Sequence, residues 1–319
     1  MDPLYWQGKF DAAFALVDDS GGFDRYRLEN ETGDGTITAC ALFPGLQALF
    51  LDLRMRRCDN SLELDKNVVE IGYCLDGRFE CNVSERHCHF ASAGDFSIGY
   101  AGKKESHGAF PTGRYQGIDI FLDERAFDAH HAEALRELDV RMERIHALFA
   151  LDSQCFVWRR SPELAAIATA IANGFKTKNI PLLRVKVMEL LVFLSGLDDS
   201  ELKEAPVYLN KSHVDLAKSA HERLTADGSG HITISRLAAE LGVGATTLKT
   251  SFKSVYGVPI YQYQKDLRLQ KAQRLLLETT RPVAAVAADV GYANPAKFSS
   301  AFKKRFGVSP TEYRGSTPR

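Results

Sequence analysis

The chain has 319 residues, 45 % of them hydrophobic and 25 % charged, which suits two ordinary globular domains and excludes disordered and fibrous classes. Its formal net charge is only −1, yet residues 211–319 hold 17 Lys and Arg against 8 Asp and Glu, a surplus of +9, and the remainder carries −10. Such asymmetry predicts a basic module for a polyanion joined to an acidic module with a different task.

The first twenty residues, MDPLYWQGKFDAAFALVDDS, lack the basic and apolar regions of a signal peptide. The longest uncharged run, Gly35 to Leu51, is interrupted by Pro44-Gly45 and is no bilayer span. A cytoplasmic protein with no membrane partner is expected. Its six cysteines are then free thiols in a reducing compartment rather than a disulfide frame.

Residues 36 to about 122 read as strands: TITACALF, LQALFLDLRM, NVVEIGYCL, RFECNV, RHCHFA, DFSIGYA and YQGIDIFL are short β-branched or aromatic runs. Pro44-Gly45, Asp76-Gly77, Ala93-Gly94-Asp95 and Pro111-Thr112-Gly113 separate them as turns, a spacing that suits a small barrel. Cys74, Cys81 and Cys88 recur every seventh residue, ending at His87-Cys88-His89. Metal or redox chemistry is one reading, but no CxxC pair or second ligand cluster stands at zinc spacing, and buried structural thiols on strands are the favoured reading of the series.

From Asp123 to about Leu197 the period becomes helical. Ser161-Pro162 and Pro181 are helix openings. The last of these helices is apolar at Leu182, Val185, Met188, Leu191 and Val192, more than one buried face needs, so a subunit contact competes with an intramolecular core. Residues 201–210 read as a linker. The expected organisation is therefore an acidic domain of strands and helices over 1–200 and a basic domain over 211–319.

The basic module repeats itself. LAAELGVGATTLKTSFKSVYGV (237–258) lies over VAADVGYANPAKFSSAFKKRFGV (286–308), pairing Gly242 with Gly291, Leu248 with Phe298, Phe252 with Phe302 and Gly257 with Gly307. Each copy is a short apolar helix, a glycine turn and a second helix with one apolar and one polar or basic face, which is the layout of a helix-turn-helix. The two units fall at about 234–256 and 283–306. Burying Leu248, Phe252 and Val255 leaves Thr246, Lys249, Thr250 and Lys253 outward; burying Phe298, Ala301, Phe302 and Phe306 leaves Lys297, Ser300, Lys303 and Lys304 outward. Short polar side chains and lysines on such faces suit base edges and phosphates in the major groove. A long helix from about Pro259 to Leu277 would hold the two reading helices apart, about 34 Å if they enter successive grooves on one face of the duplex.

These stretches, with RLQKAQRLLLET and FSSAFKKRFGVSPTEYR, resemble the AraC family of bacterial transcription regulators over about 100 residues. The resemblance implies an α+β protein: a cupin-like β-barrel with helical dimerisation segment, then an all-α domain of two helix-turn-helix units. It implies double-stranded DNA and a small-molecule effector as partners, a homodimer, and contact with RNA polymerase as an option. It also puts Thr246, Lys249 and Thr250 at base-reading positions of the first helix, and Pro295, Ala296, Lys297 and Ser300 at those of the second. Pro295 and Ala296 have no side-chain hydrogen-bonding group, which assigns the second helix more to phosphate and shape than to bases. Gly244-Ala245 stands where the family often has a polar cap. In the barrel, Tyr73, His89, His107 and Tyr115 are candidate pocket residues, as polar-tipped side chains on strands or rims. A cupin-type enzyme tethered to DNA finds no nucleophile–base pair, deaminase signature or phosphate loop, so no enzyme activity, cofactor or metal is expected. A thiol-based, redox-responsive regulator is the other alternative.

Overall fold

The structure is a computed structural model that describes residues 13–60, 68–82, 87–100, 106–150, 156–159, 161–197, 209–226 and 232–315. It divides into two compact units, Met1–Asn210 and Lys211–Arg319.

The first unit opens with β1 (Ala13–Asp18), β2 (Asp24–Asn30), β3 (Gly33–Phe43), β4 (Leu46–Arg54) and β5 (Arg57–Asn60). Then come β6 (Val68–Asn82), β7 (His87–Ser92), β8 (Asp95–Tyr100), β9 (Ser106–Ala109) and β10 (Tyr115–Asp123). Every pairing is antiparallel, and the main path runs β1-β2-β3-β4-β10-β6-β7, with a two-residue β12 (Leu209–Asn210) on β7. The result is a curled antiparallel half-barrel followed by helices, an α+β architecture.

Three local departures from the sequence expectation have physical causes. The strands β1 and β2 precede residue 36; DRYRLEN is mostly charged, and only Tyr26 and Leu28 turn inward. Asp76-Gly77 is not a turn between two strands: β6 runs through it, with a bulge one residue earlier at Leu75. Gly77 has φ +86° and its Cα hydrogen faces the Arg114 carbonyl, where a Cβ would collide. The register of β10 on β6 shifts just before it, where Gln116 pairs with Asp76 but Gly117 pairs with Cys74. A bulge bends its strand, and this one lets β6 pair first with β10 and β8 and then with β7 and β9. Finally, β11 (Phe156–Arg159) interrupts the helical stretch and pairs with β8, as its sequence FVWR would favour on β-propensity alone.

The helices are α1 (Glu124–Glu137), α2 (Met142–Ala150), α3 (Pro162–Lys176) and α4 (Ile180–Ser195). Asp123, Ser161 and Asn179 cap α1, α3 and α4 through side-chain oxygens. The two faces of the sheet serve different cores. One packs Ile71, Phe96 and Ile120 against Leu164, Ile171, Leu183 and Leu190 of α3 and α4. The other gathers Leu28, Ile37, Leu51, Phe121 and Phe110 inside the curl.

The second unit is wholly helical among the described residues: α5 (Lys211–Ala226), α6 (Ile234–Glu240), α7 (Ala245–Tyr256), α8 (Ile260–Glu278), α9 (Val283–Asp289), α10 (Pro295–Phe306) and α11 (Pro310–Gly315). No helix among the described residues is long and apolar enough to cross a membrane.

Candidate nucleic-acid interface

The repeat seen in the sequence is a structural repeat. Each copy turns at a left-handed glycine: φ is +69° at Gly242 and +81° at Gly291. Each second helix also stops at one, with φ +76° at Gly257 and +83° at Gly307, whose N–H groups donate to Lys253 O and Lys303 O at 2.8 Å. Left-handed backbone is cheap only for glycine, so these four positions define where the helices can end.

The inner face of each copy is aromatic. Phe252 stacks on Tyr256 with ring centroids 4.4 Å apart and meets Tyr263 of α8 edge-on at 5.3 Å. In the second copy Phe302 touches Phe298, Phe306 and Tyr313 at 5.7, 4.5 and 5.6 Å. Leu248, Phe252, Phe298 and Phe302 are all fully buried. The 19-residue α8 spans about 28 Å at 1.5 Å per residue. It buries Leu269, Ala272 and Leu276, while Leu267 and Leu275 are only half-buried. The second copy is braced to it by an Asp266–Arg305 ion pair, a Gln273–Tyr313 hydrogen bond and Arg314 Nε donating to Leu276 O at 3.3 Å. Ser309 and Glu312 form a reciprocal capping box at α11: the Ser309 N–H donates to Glu312 Oε2 at 2.8 Å, and the Glu312 N–H donates to Ser309 Oγ at 3.3 Å. Those bonds, the backbone one first, hold the Glu312 carboxyl below its ordinary range.

With the apolar residues spent inward, the polar ones face water. Thr246, Lys249, Thr250 and Lys253 are exposed at i, i+3, i+4 and i+7 of α7, hence on one side. Lys297, Ser300, Lys303 and Lys304 are exposed on α10. Neither helix contains Asp or Glu, so both outer faces are purely polar or positive. The two helices start differently. Gly244 gives α7 no side-chain cap, whereas the Asn294 carboxamide accepts from the Ala296 and Lys297 N–H groups at 2.8 and 3.2 Å, with Pro295 in the first turn. Pro295 and Ala296 are exposed beside them.

Of the expected barrel-pocket residues, the two described tyrosines lie on opposite faces of the sheet. Tyr73 faces the helices and lines a void of about 10 Å³ among Ile71, Ile118 and Leu190, room for one water-sized body. Tyr115 belongs to the opposite face, packed on Phe110 with centroids 5.3 Å apart. Neighbouring strand positions point to opposite faces, and the bulge at Leu75 does not bring these two back together. The His89 and His107 side chains lie outside the described part of the structure, as do those of His87 and Cys81. Among the described cysteines, Cys40, Cys58, Cys74 and Cys88 are buried thiols outside any disulfide. Burial pushes the Cys40 thiol up to about 11 and that of Cys74 up to about 12, so neither supplies a thiolate at neutral pH.

Sequence reasoning passed over the polar residues of the inner sheet face. Gln47 and Asp119 are 5 % and 8 % exposed, each set among apolar neighbours in LQALFL and IDIF. The single polar letter in an apolar strand was the available signal.

Both halves match known families. Residues 237–316 match a helix-turn-helix domain family, and residues 33–176 match the family described as regulatory protein PchR N-terminal domain. The activator RhaR of Mannheimia succiniciproducens is 33 % identical over 107 residues, 33 % of this chain and 39 % of that one. The arabinose operon regulatory protein of Salmonella typhimurium is 32 % identical over 84 residues, 26 % of this chain and 30 % of that one. In these stretches the chain is similar to AraC-type transcription regulators. Among solved structures, the C-terminal domain of the response regulator AraT from Geobacillus stearothermophilus is 30 % identical, covering 33 % of this chain and 87 % of that one at a TM-score of 0.31. The chain spans only 30 % to 39 % of the length of the two curated relatives, which both bear the names of transcription regulators.

Proposed function

We propose that the protein is a cytoplasmic, sequence-specific DNA-binding transcription regulator in which Lys211–Arg319 grips the duplex and Met1–Asn210 senses a small-molecule effector. The observation that carries this reading is the pair of exposed, acid-free helix faces on α7 and α10, built on matching cores. Thr246, Lys249 and Thr250 read base edges, and Lys253, Lys297, Ser300, Lys303 and Lys304 neutralise or position phosphates. Effector binding shifts the balance between DNA-competent and incompetent arrangements, without catalysis. The match of residues 33–176 to a regulatory domain family supports that division of labour.

A homodimer forms through α4. Val185 and Val192 are 62 % and 38 % exposed and seven residues apart, leaving an apolar stripe after the inner face is satisfied by Leu183, Val187, Leu190, Leu191 and Leu194. Met188 and Leu191 pack inward and do not contribute. RNA polymerase is a further partner of a regulator seated on a promoter. The thiol-based reading is disfavoured by the raised Cys40 and Cys74 thiols.

The deciding test is selection of binding sites from a random duplex pool by the full chain. Enrichment of two short motifs about 34 Å apart is the expected result. No enrichment, or equal affinity for every sequence, overturns the reading.

A further inference from the structure

The chain leaves its first unit with no slack. The strand β12 (Leu209–Asn210) ends where α5 begins, at Lys211, and the boundary between the two compact units falls on the same peptide bond. The sequence pattern puts residues 201–210 in a linker, yet the last two of them belong to the sheet. They form the terminal strand of the main path, with Leu209 opposite Cys88 and Asn210 opposite His87 of β7. On the other side of the junction Val214, in the first turn of α5, is 1 % exposed, so that helix is anchored in its own core from its start.

Two features make β12 a clip rather than a fixed part of the sheet. It has two residues, against about five or six in an ordinary strand. A few edge hydrogen bonds and one half-buried side chain, Leu209, are set against the ordering of two residues, which leaves the closed and open forms close in free energy. Closing the clip also covers a reactive group. Cys88 is 0 % exposed, and its thiol donates to the Leu209 carbonyl at 3.7 Å. Lifting Leu209 away uncovers that thiol and turns β7 into a bare sheet edge.

We propose that β12 is a switch on the exit of the chain. Closed on β7, it holds the last residue before α5 and restrains the DNA-binding unit; open, it frees that unit to seat both reading helices on the duplex. The proposal rests on reading Lys211–Arg319 as the DNA-binding unit. Anything that steadies or loosens the β7 edge then alters DNA affinity, and by linkage DNA alters the clip by the same factor.

One substitution locks the clip reversibly. Leu209→Cys puts a thiol directly opposite Cys88 on an antiparallel neighbour, at a backbone spacing that a disulfide accepts. Affinity of the full chain for a duplex enriched from the random pool is measured by fluorescence polarisation after diamide and again after dithiothreitol. Wild type and the L209C/C88S double variant are treated alike. The locked protein is expected to bind at least about fivefold more weakly than its own reduced form, with no change in either control. Equal or tighter binding by protein shown by peptide mass to carry the 88–209 disulfide overturns the proposal. Leu209→Gly opens the clip instead. It should quicken alkylation of Cys88 by iodoacetamide about tenfold, since that rate follows the open population, and tighten duplex binding. An unchanged alkylation rate overturns the proposal without reference to DNA. Absence of duplex binding by wild type is the failure of the DNA-binding reading, which the alkylation rates distinguish from failure of the clip.

Discussion

The two helix-turn-helix copies are alike inside and unlike outside. Their glycines, their buried phenylalanines and their helix lengths correspond, because packing one short helix on another over a tight turn admits few solutions. Their outer faces answer to a different constraint. The first carries Thr246, Lys249 and Thr250 on an uncapped helix; the second carries Asn294, Pro295 and Ala296 at its start and a basic last turn of Lys303, Lys304 and Arg305. Arg305 is turned aside to Asp266, which leaves the lysines as the outward charges. The packing residues thus correspond between the copies, while the exposed ones do not.

The strongest way to break the comparison is to empty one core and watch the other. Phe302→Ala, at a fully buried site, should cost about 3–5 kcal/mol. Hydrogen exchange resolved by peptide should then quicken in α9 and α10 well before α6 and α7, and Phe252→Ala should reverse the pattern. Equal destabilisation of both copies would mean that α8 couples them into one unit.

Next in size are the outer faces. Replacing Thr246, Lys249 and Thr250 by Ala should relax discrimination between selected and scrambled duplex, by about 1–3 kcal/mol for each side chain that had been bonded to a base edge. Replacing Lys297, Lys303 and Lys304 by Ala should instead weaken all sequences together. It should flatten the salt dependence of binding, by about 0.9 in log–log slope for each phosphate no longer neutralised. Fluorescence polarisation at several salt concentrations separates the two; identical behaviour of both triple variants would erase the proposed division between reading and gripping.

Smaller effects sharpen the shared geometry. Gly242→Ala and Gly307→Ala meet no atom within 4 Å, at φ +69° and +83°. Each should therefore cost only the left-handed backbone penalty, roughly 1–2 kcal/mol, and nearly the same in the two copies. Smallest is the difference at the helix starts. Asn294→Ala should lose about 1 kcal/mol, while Gly244→Ser should gain no more than a few tenths, read from denaturant midpoints.

The basic unit was legible because its information is local. The spacing of Leu248, Phe252 and Val255, and of Phe298 and Phe302, specifies both the buried stripe and, by difference, the outward residues. The half-barrel was less so. Its charged strand β2, the bulge at Leu75 and the lone β11 are each set by neighbours distant in the chain, and propensity over a short window does not contain them. Tyr73 and Tyr115 were chosen for chemical type, and the pleat sent them to opposite faces.

By itself the sequence determined the α+β class, the charge division at the basic module, the tandem helix-turn-helix and its exposed faces. Helical period and left-handed glycines act within a dozen residues, and no partner segment is needed to express them. Only the tertiary structure decided which strand face closes on itself, and therefore that Gln47, Glu70, Ser97 and Asp119 share one patch. Alternation along a strand separates two faces but leaves open which is inner. Register between segments far apart in sequence makes that choice, through the burial that becomes available once the sheet curls.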